Sequence, residues 1–330
     1  MKIVLNNDIN KDQWLTILGE NYTSSPFQSP VFFDVINSIR DFSADVIGVK
    51  YKGVLASVVV ITIQKERGLK GYFSRRGVIY GGPLFNSSAS ASALMAYLNK
   101  HYKYKAIYLE TRNFFDYSSF RQAFEKAGWM YEPYLNFQLN LKGVEKSALL
   151  SHFKYNRRRE IKQSIANGAS YALCENEKDI SEVYNILAEL YKTRVKLPLP
   201  PLDYFLGLHE HDLIKVFSVK HQGKIIGGSF CPFLSGRAIY TYYYCGLRDY
   251  HKRIFPTHLA VLAAMEYAIA NYIPVIDFMG AGKPDVDYGV RKYKSEFGGT
   301  LVEHGRFIKV LNPFMYNLGK LGLKILSKIK

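Results

Sequence analysis

Two stretches of the chain alternate apolar and polar positions in the same way. The runs ADVIGVKY and VLASVVVITI flank a polar turn in VKYKG, and LIKVFSVK and KIIGGSFCPF flank another in VKHQG. Val219 of the second lies 170 residues after Val49 of the first. β-branched runs joined by a short polar turn with Gly predict antiparallel hairpins. The segments after the two hairpins also correspond. A Tyr- and Gly-rich strand (YGGPLF; IYTYYYCG) precedes a helical stretch (Ser90–His101; Thr257–Asn271) and then a strand (AIYLET; PVIDF). A short helical segment with a Gly (FEKAGW from Phe124; YKSEFGG from Tyr293) and a closing strand end both series. Four elements recurring in one order predict a tandem pair of α/β domains with mixed, α+β-type sheets. The expected division is residues 1–143, residues 144–311 with the active cleft, and a basic amphipathic helix over 312–330. The second half carries extra helical segments, KYNRRREIKQSIANG and EKDISEVYNILAELYKTR.

The 330 residues exceed what one core usually serves, which agrees with two domains. A 48% hydrophobic composition excludes a disordered chain. Lys and Arg number 44 against 28 Asp and Glu, leaving +16, so the partners are expected to be anionic: nucleic acid, phosphorylated metabolites or a lipid surface. Cys174, Cys231 and Cys245 match no metal-ligand spacing and read as reduced thiols of a cytoplasmic protein, with no metal site. MKIVLNNDIN shows no secretory h-region, and Val54–Ile63 is about half the roughly 20 residues a spanning helix needs. A soluble protein, or one peripheral at the inner membrane face, is expected. In the tail, Leu318, Leu321, Ile325, Leu326 and Ile329 recur near helical spacing after Pro313, among Lys320, Lys324, Lys328 and Lys330. That stripe suits either packing on the protein or an anionic membrane surface.

The order helix, hairpin, third strand, helix, strand, helix, strand is similar to the GNAT N-acyltransferase fold. More specifically, YYYCG, VIDFMGAG, DYGVRKYKSEFGG and VEHGRFIKVLNP, in that order between Tyr240 and Pro313, resemble the C-terminal domain of the Fem (FemABX) peptidyltransferases. NRRREIKQSIANGASY resembles the family's basic helix before a Gly-started strand, YKTRVKLPLPPLDYF its Thr-Arg segment, and PFQSPVFFDVI its N-terminal Gln-Ser signature. The resemblance implies two tandem GNAT-like domains. It also implies transfer of an aminoacyl group from aminoacyl-tRNA to an amine of a cell-wall precursor, as in peptidoglycan bridge formation.

Such chemistry has an amine attack an ester, and the tetrahedral intermediate needs a donor for its oxyanion. The resemblance puts Lys294 in that role; the same residues also suit a solvated basic helix face. It places Arg194 against the precursor's phosphate or carboxylate groups, although a cation there also suits a helix C-terminus. Tyr242, Tyr243 and Tyr244 alternate faces on one strand, so at most two address the substrate. Arg158, within Arg157–Arg159 beside Lys154 and Lys162, is a candidate for gripping tRNA phosphates or a lipid diphosphate. Asp277 ends a strand, where it can orient a partner, act as a base, or merely cap.

Two departures from the patterns matter. HKRIFPTH, where a GNAT pyrophosphate loop belongs, has no glycine, so no cofactor is expected and coenzyme A is disfavoured as donor. The family's Arg-Gly-Pro reads Gly-Gly-Pro at Gly81–Pro83, and Arg40 is the nearest cation to the lysine expected after the Gln-Ser signature. An acyl thioester donor, such as acyl carrier protein or coenzyme A, with an amino-acid or lipid amine as acceptor is therefore an alternative. A non-enzymatic RNA- or membrane-binding module is another, of a different class.

Overall fold

A computed structural model describes residues 1–65 and 74–328. Both expected hairpins form, and they share their local geometry. In the first, β2 (Ser43–Tyr51) and β3 (Val54–Gln64) are joined through Lys52 at φ 49 and Gly53 at φ 83. In the second, β10 (Ile214–His221) and β11 (Lys224–Leu234) are joined through Gln222 at φ 50 and Gly223 at φ 74. Two consecutive positive φ values give the primed turn whose twist matches that of paired strands, which is why Gly stands second in each. The pairing register shifts between Val49 and Lys50 in one hairpin and between Val219 and Lys220 in the other, so turn and bulge recur at the same offset.

The chain divides into one unit of Met1–Tyr134 with Glu303–Lys330 and a second of Leu135–Val302. Remaining strands of the first are β1 (Lys2–Leu5), β4 (Arg76–Gly81), β5 (Leu84–Phe85), β6 (Tyr108–Asn113), β7 (Met130–Glu132) and β16 (Arg306–Val310). They run β1-β2-β3-β4-β6-β16-β7, with β5 on β3. Helices α1 (Lys11–Glu20) and α2 (Pro30–Ser38) pack on the hairpin strands β3 and β2. The unit also holds α3 (Ser88–Tyr102) and α4 (Arg121–Lys126), so that Leu94, Met95, Leu98 and Phe124 bury with Ile47, Val59, Ile61, Ile79, Leu109 and Phe307.

The second unit adds β8 (Leu135–Asn140), β9 (Ala169–Leu173), β12 (Ala238–Tyr240), β13 (Tyr243–Gly246), β14 (Val275–Gly280) and β15 (Thr300–Glu303). Its order is β15-β8-β14-β12-β11-β10-β9, with β13 on β11. The extra helical segments are α5 (Tyr155–Ala166), α6 (Glu177–Leu190) and α7 (Leu202–Glu210). The helix α8 (Pro256–Ala270) is apolar around its circumference and sinks Leu259, Leu262, Ala263 and Met265 into a core with Phe217, Ile226, Ile276 and Phe278. Each unit contains a parallel pair, β4 with β6 and β12 with β14, beside antiparallel neighbours. The mixed α/β architecture with two GNAT-like sheets is therefore the one expected.

The boundaries differ from the 1–143 and 144–311 division. The strand β8 leaves the first repeat to lie between β15 and β14, while β16 leaves the second repeat to lie between β6 and β7. Each repeat thus gives its last strand to the other sheet. An apolar alternation such as LNFQLN satisfies either sheet equally, so the exchange cannot be read from it. The tail helix α10 (Pro313–Lys328) belongs with the first unit rather than forming a segment of its own. Ile329 and Lys330 lie outside the described residues.

Candidate functional site

In the second sheet β12 pairs with β14 as far as Tyr240 and Asp277, after which the strands part. β13 pairs with β11, and β14 shifts register against β8 between Asp277 and Gly280. Met279 sits at φ 59 within that irregularity, which frees backbone carbonyls at the end of β14 from the ladder. The short helix α9 (Gly289–Ser295) answers both strands with adjacent side chains. Tyr293 stacks on Tyr244 of β13, with ring centroids 5.6 Å apart and planes at 15°. The Lys294 Nζ donates to the carbonyl oxygens of Gly280 at 2.8 Å and Met279 at 3.3 Å.

Lys294 is only 5% exposed. Burial penalises its ammonium form and lowers its pKa to about 8, while the negative charge of Asp277 acts in the opposite direction. An ammonium has three N–H donors, so two carbonyl bonds leave one N–H uncommitted. Asp277, 1% exposed, is held by four hydrogen bonds. Its Oδ1 accepts from Asn136 Nδ2 at 2.8 Å and from the Met279 backbone N–H at 2.6 Å. Its Oδ2 accepts from Asn136 Nδ2 at 2.9 Å and Gln138 Nε2 at 2.8 Å. Burial pushes this carboxyl above its ordinary pKa, and the amide donors and Lys294 pull it back.

Behind α9 stands Arg157, from α5. Its guanidinium lies 4.4 Å from the Tyr293 ring centroid and 4.6 Å from that of Phe297, and Nη2 donates to Glu296 Oε2 at 2.7 Å. Cation–π contact and ion pair together fix the helix that carries Lys294. Burial and the positive charge of Arg157 bring the neighbouring His258 to a pKa of about 3, so its imidazole is neutral at physiological pH.

The expected residues divide around this arrangement. Lys294, Asp277 and Tyr244 come together. Tyr243 faces elsewhere, edge-on to Tyr191 at 5.7 Å and to Phe205 at 5.5 Å, with the Tyr242 ring 4.4 Å away. Arg194 is exposed on the π-helical turn Tyr191–Val195. On that turn Tyr191 is half-buried and Arg194 faces solvent. In the basic run the side chain that reaches the site is Arg157, while Arg158 is half-buried on the next helical position. Adjacent residues of a helix point about 100° apart, so only one of three consecutive arginines turns inward.

Along the chain Arg157 is one charge in a run, and nothing marks Tyr293 or His258 as members of a site. Asn136 and Gln138 are also absent from the expected set, although for them a signal exists. In LNFQLN the amides alternate with Leu135, Phe137 and Leu139, placing Asn136 and Gln138 on one strand face. The Gln-Ser signature has a local task in the first unit. Gln28 Oε1 accepts from the Ser25 N–H at 2.6 Å, and its Nε2 donates to the Gly82 carbonyl at 2.5 Å. Gly82 is at φ 85, and a Cβ there would lie 2.5 Å from the Tyr117 hydroxyl, so the Gly-Gly-Pro turn is shaped by its packing.

Residues 218–323 match the model of the FemAB family. No curated protein matches the chain. Among solved structures, that of FemX is similar at 14% identity and a TM-score of 0.72, covering 96% of this chain and 99% of the other. The structure of L-PGS from Bacillus licheniformis is similar at 11% identity and a TM-score of 0.59, covering 94% and 96%. A tandem GNAT protein from the clavulanic acid biosynthesis pathway is similar at 12% identity and a TM-score of 0.59, covering 94% and 99%. At such identities the three likenesses establish the fold. The family match spans the strands and helix that hold Lys294, so this part of the chain is similar to the FemAB family, and the fold is that of two tandem GNAT-like domains.

Proposed function

We propose that this protein transfers an aminoacyl or related acyl group to an amine of an anionic cell-envelope precursor, with Lys294 as oxyanion donor. The observation that carries this reading is the buried ammonium at the end of β14, two of its protons fixed on carbonyls and one left for a substrate. In the step, the acceptor nitrogen attacks the acyl carbonyl carbon and the carbonyl π electrons move onto oxygen. Lys294 donates its remaining N–H to that oxyanion. The intermediate collapses as the C–N bond is kept and the C–O bond to the leaving ribose breaks. The proton lost by the amine goes to the leaving oxygen, so charge and atoms balance. A preplaced donor of this kind contributes about 10²- to 10³-fold in rate. Asp277, enclosed by amide donors, holds the ammonium charged and in place. Arg157 and Tyr293 position α9.

Aminoacyl-tRNA or a carrier-bound thioester suits the donor side better than free coenzyme A. The helix α8 opens on Pro256, which has no N–H, and the N–H of Phe255 before it donates to Ser164 Oγ at 2.9 Å. Two of the backbone positions where a pyrophosphate would be cradled thus offer no free N–H. The excess of +16 suits tRNA, an acidic carrier protein or a phosphorylated acceptor.

The test is mass spectrometry of envelope precursors and lipids from cells with and without the protein, followed by purified assays offering aminoacyl-tRNA, acylated carrier protein or acyl-coenzyme A. Lys294→Ala is expected to lower transfer about 10²- to 10³-fold while binding of the polyanionic substrate persists. Wild-type protein that binds RNA or lipid but moves no acyl group from any donor would make it a binding module instead.

A further inference from the structure

We propose that α10 docks the protein on the surface of an anionic lipid bilayer, seating one apolar stripe in the headgroup interface. Near its start, Tyr316 packs edge-on against Tyr108 of β6, with ring centroids 5.3 Å apart. From Asn317 to Leu321 every residue is exposed, so this stretch has no face packed on the protein. Phe314 is 76% exposed, Leu318 47% and Leu321 55%. At roughly 100° per residue these three fall within about 60° of one another on the helix, and Tyr316 falls on the opposite side. The contact with β6 therefore turns the apolar stripe outward. Packing of the stripe on the protein, the other use expected for such a helix, does not occur over these residues.

The occupant is set by charge. After Glu303 the chain contains no acidic residue, and the helical sequence carries Lys320, Lys324 and Lys328. Lys320 Nζ lies 4.5 Å from the Tyr316 ring centroid, on the flank of the helix rather than in its apolar stripe. Apolar residues on the outward face with cations in the same segment, and no acid, suit an anionic interface. Among the described residues no helix is long and apolar enough to cross a membrane, so α10 lies on the surface rather than through it. Such docking does not depend on which acyl group is moved.

The experiment sediments the full chain with phosphatidylcholine vesicles and with vesicles containing phosphatidylglycerol. Wild type is expected to partition onto the anionic vesicles, less so as salt rises. Phe314→Asn with Leu318→Asn and Leu321→Asn should lower that partition at least about tenfold, given the apolar area withdrawn. Lys320→Gln with Lys324→Gln should lower it several-fold and flatten the salt dependence. All five substitutions fall within α10, and unchanged circular dichroism and melting of the variants exclude unfolding as the cause. Equal sedimentation of wild type and the apolar triple variant, or no preference for the anionic vesicles, would overturn the proposal. A lipid-free wild-type dimer that the triple variant converts to monomer would overturn it too, by assigning the stripe to a second copy.

Discussion

Phe124 and Lys294 stand 170 residues apart, the offset of the two hairpins, and the two units use that position in opposite ways. In the first, Phe124 stacks on Phe307 with centroids 4.0 Å apart and planes at 7°, and meets Phe85, Tyr117 and Trp129 edge-on. In the second unit the residue at that offset is an ammonium on two backbone carbonyls, near a carboxylate enclosed by amides. One frame therefore carries a cohesive core in one copy and a costly buried charge in the other. A charge is retained against its desolvation cost where it has a task, and that cost is what lowers Lys294 to a pKa of about 8.

The contrast is most easily broken at Phe124. Phe124→Ala should destabilise the first unit by about 3–5 kcal/mol, and Phe124→Lys, which sets an ammonium among Phe85, Tyr117, Trp129 and Phe307, should leave that unit unfolded. Denaturant titration with a probe in each unit measures both. A folded Phe124→Lys protein would show that the first unit has a polar shell equivalent to that of Asp277.

Next is Lys294→Met, for which we expect a fall in kcat of about 10²- to 10³-fold with the fold retained. The pH dependence sharpens this. Lys294 has a native pKa of about 8, below its ordinary 10.5, so between those values the unfolded chain binds more protons and stability rises with pH. Oxyanion donation needs the protonated form, so activity falls as pH rises past about 8. Wild type should thus gain stability while losing kcat across this window, and Lys294→Met should show neither the gain nor the titration. Parallel melting and initial-rate series would decide it; a rate that titrates identically in both proteins removes Lys294 from the chemistry.

A smaller effect is expected at Arg157, which lies against Tyr293 and Phe297 and pairs with Glu296. Arg157→Met keeps contact with the rings but leaves Glu296 unpaired, costing about 1–3 kcal/mol. It should lower kcat about tenfold through misplacement of α9. It should leave the pH midpoint of Lys294 in place, since burial and Asp277 set it. A purely structural Arg157 would lower stability alone. The smallest effect tests a feature the units share. Gly53→Ala and Gly223→Ala each force a side chain into the left-handed region at an identical turn, costing about 1–2 kcal/mol apiece. Clearly unequal losses by thermal melting would mean that the two hairpins are not equivalent.

Much of the frame is legible along the chain. The alternation of β2, β3, β10 and β11, with Gly second in each turn, determines the hairpins and their repeat, because a strand's face and a primed turn are local properties. The ordered run from Tyr240 to Pro313 likewise points to Lys294 without knowledge of any contact. Tertiary structure decides the rest. Which sheet receives β8 and β16 depends on long-range pairing that an alternating segment does not encode, and that choice brings Asn136 and Gln138 to Asp277 across 141 and 139 residues. Which of three adjacent arginines becomes a buried strut depends on the helix's rotation against α9, and Arg157 rather than Arg158 faces Tyr293. Whether the stripe of α10 is covered depends on what stands opposite it, and Tyr108 meets the other side. Local pattern specifies an element and its faces; only packing specifies what each face meets.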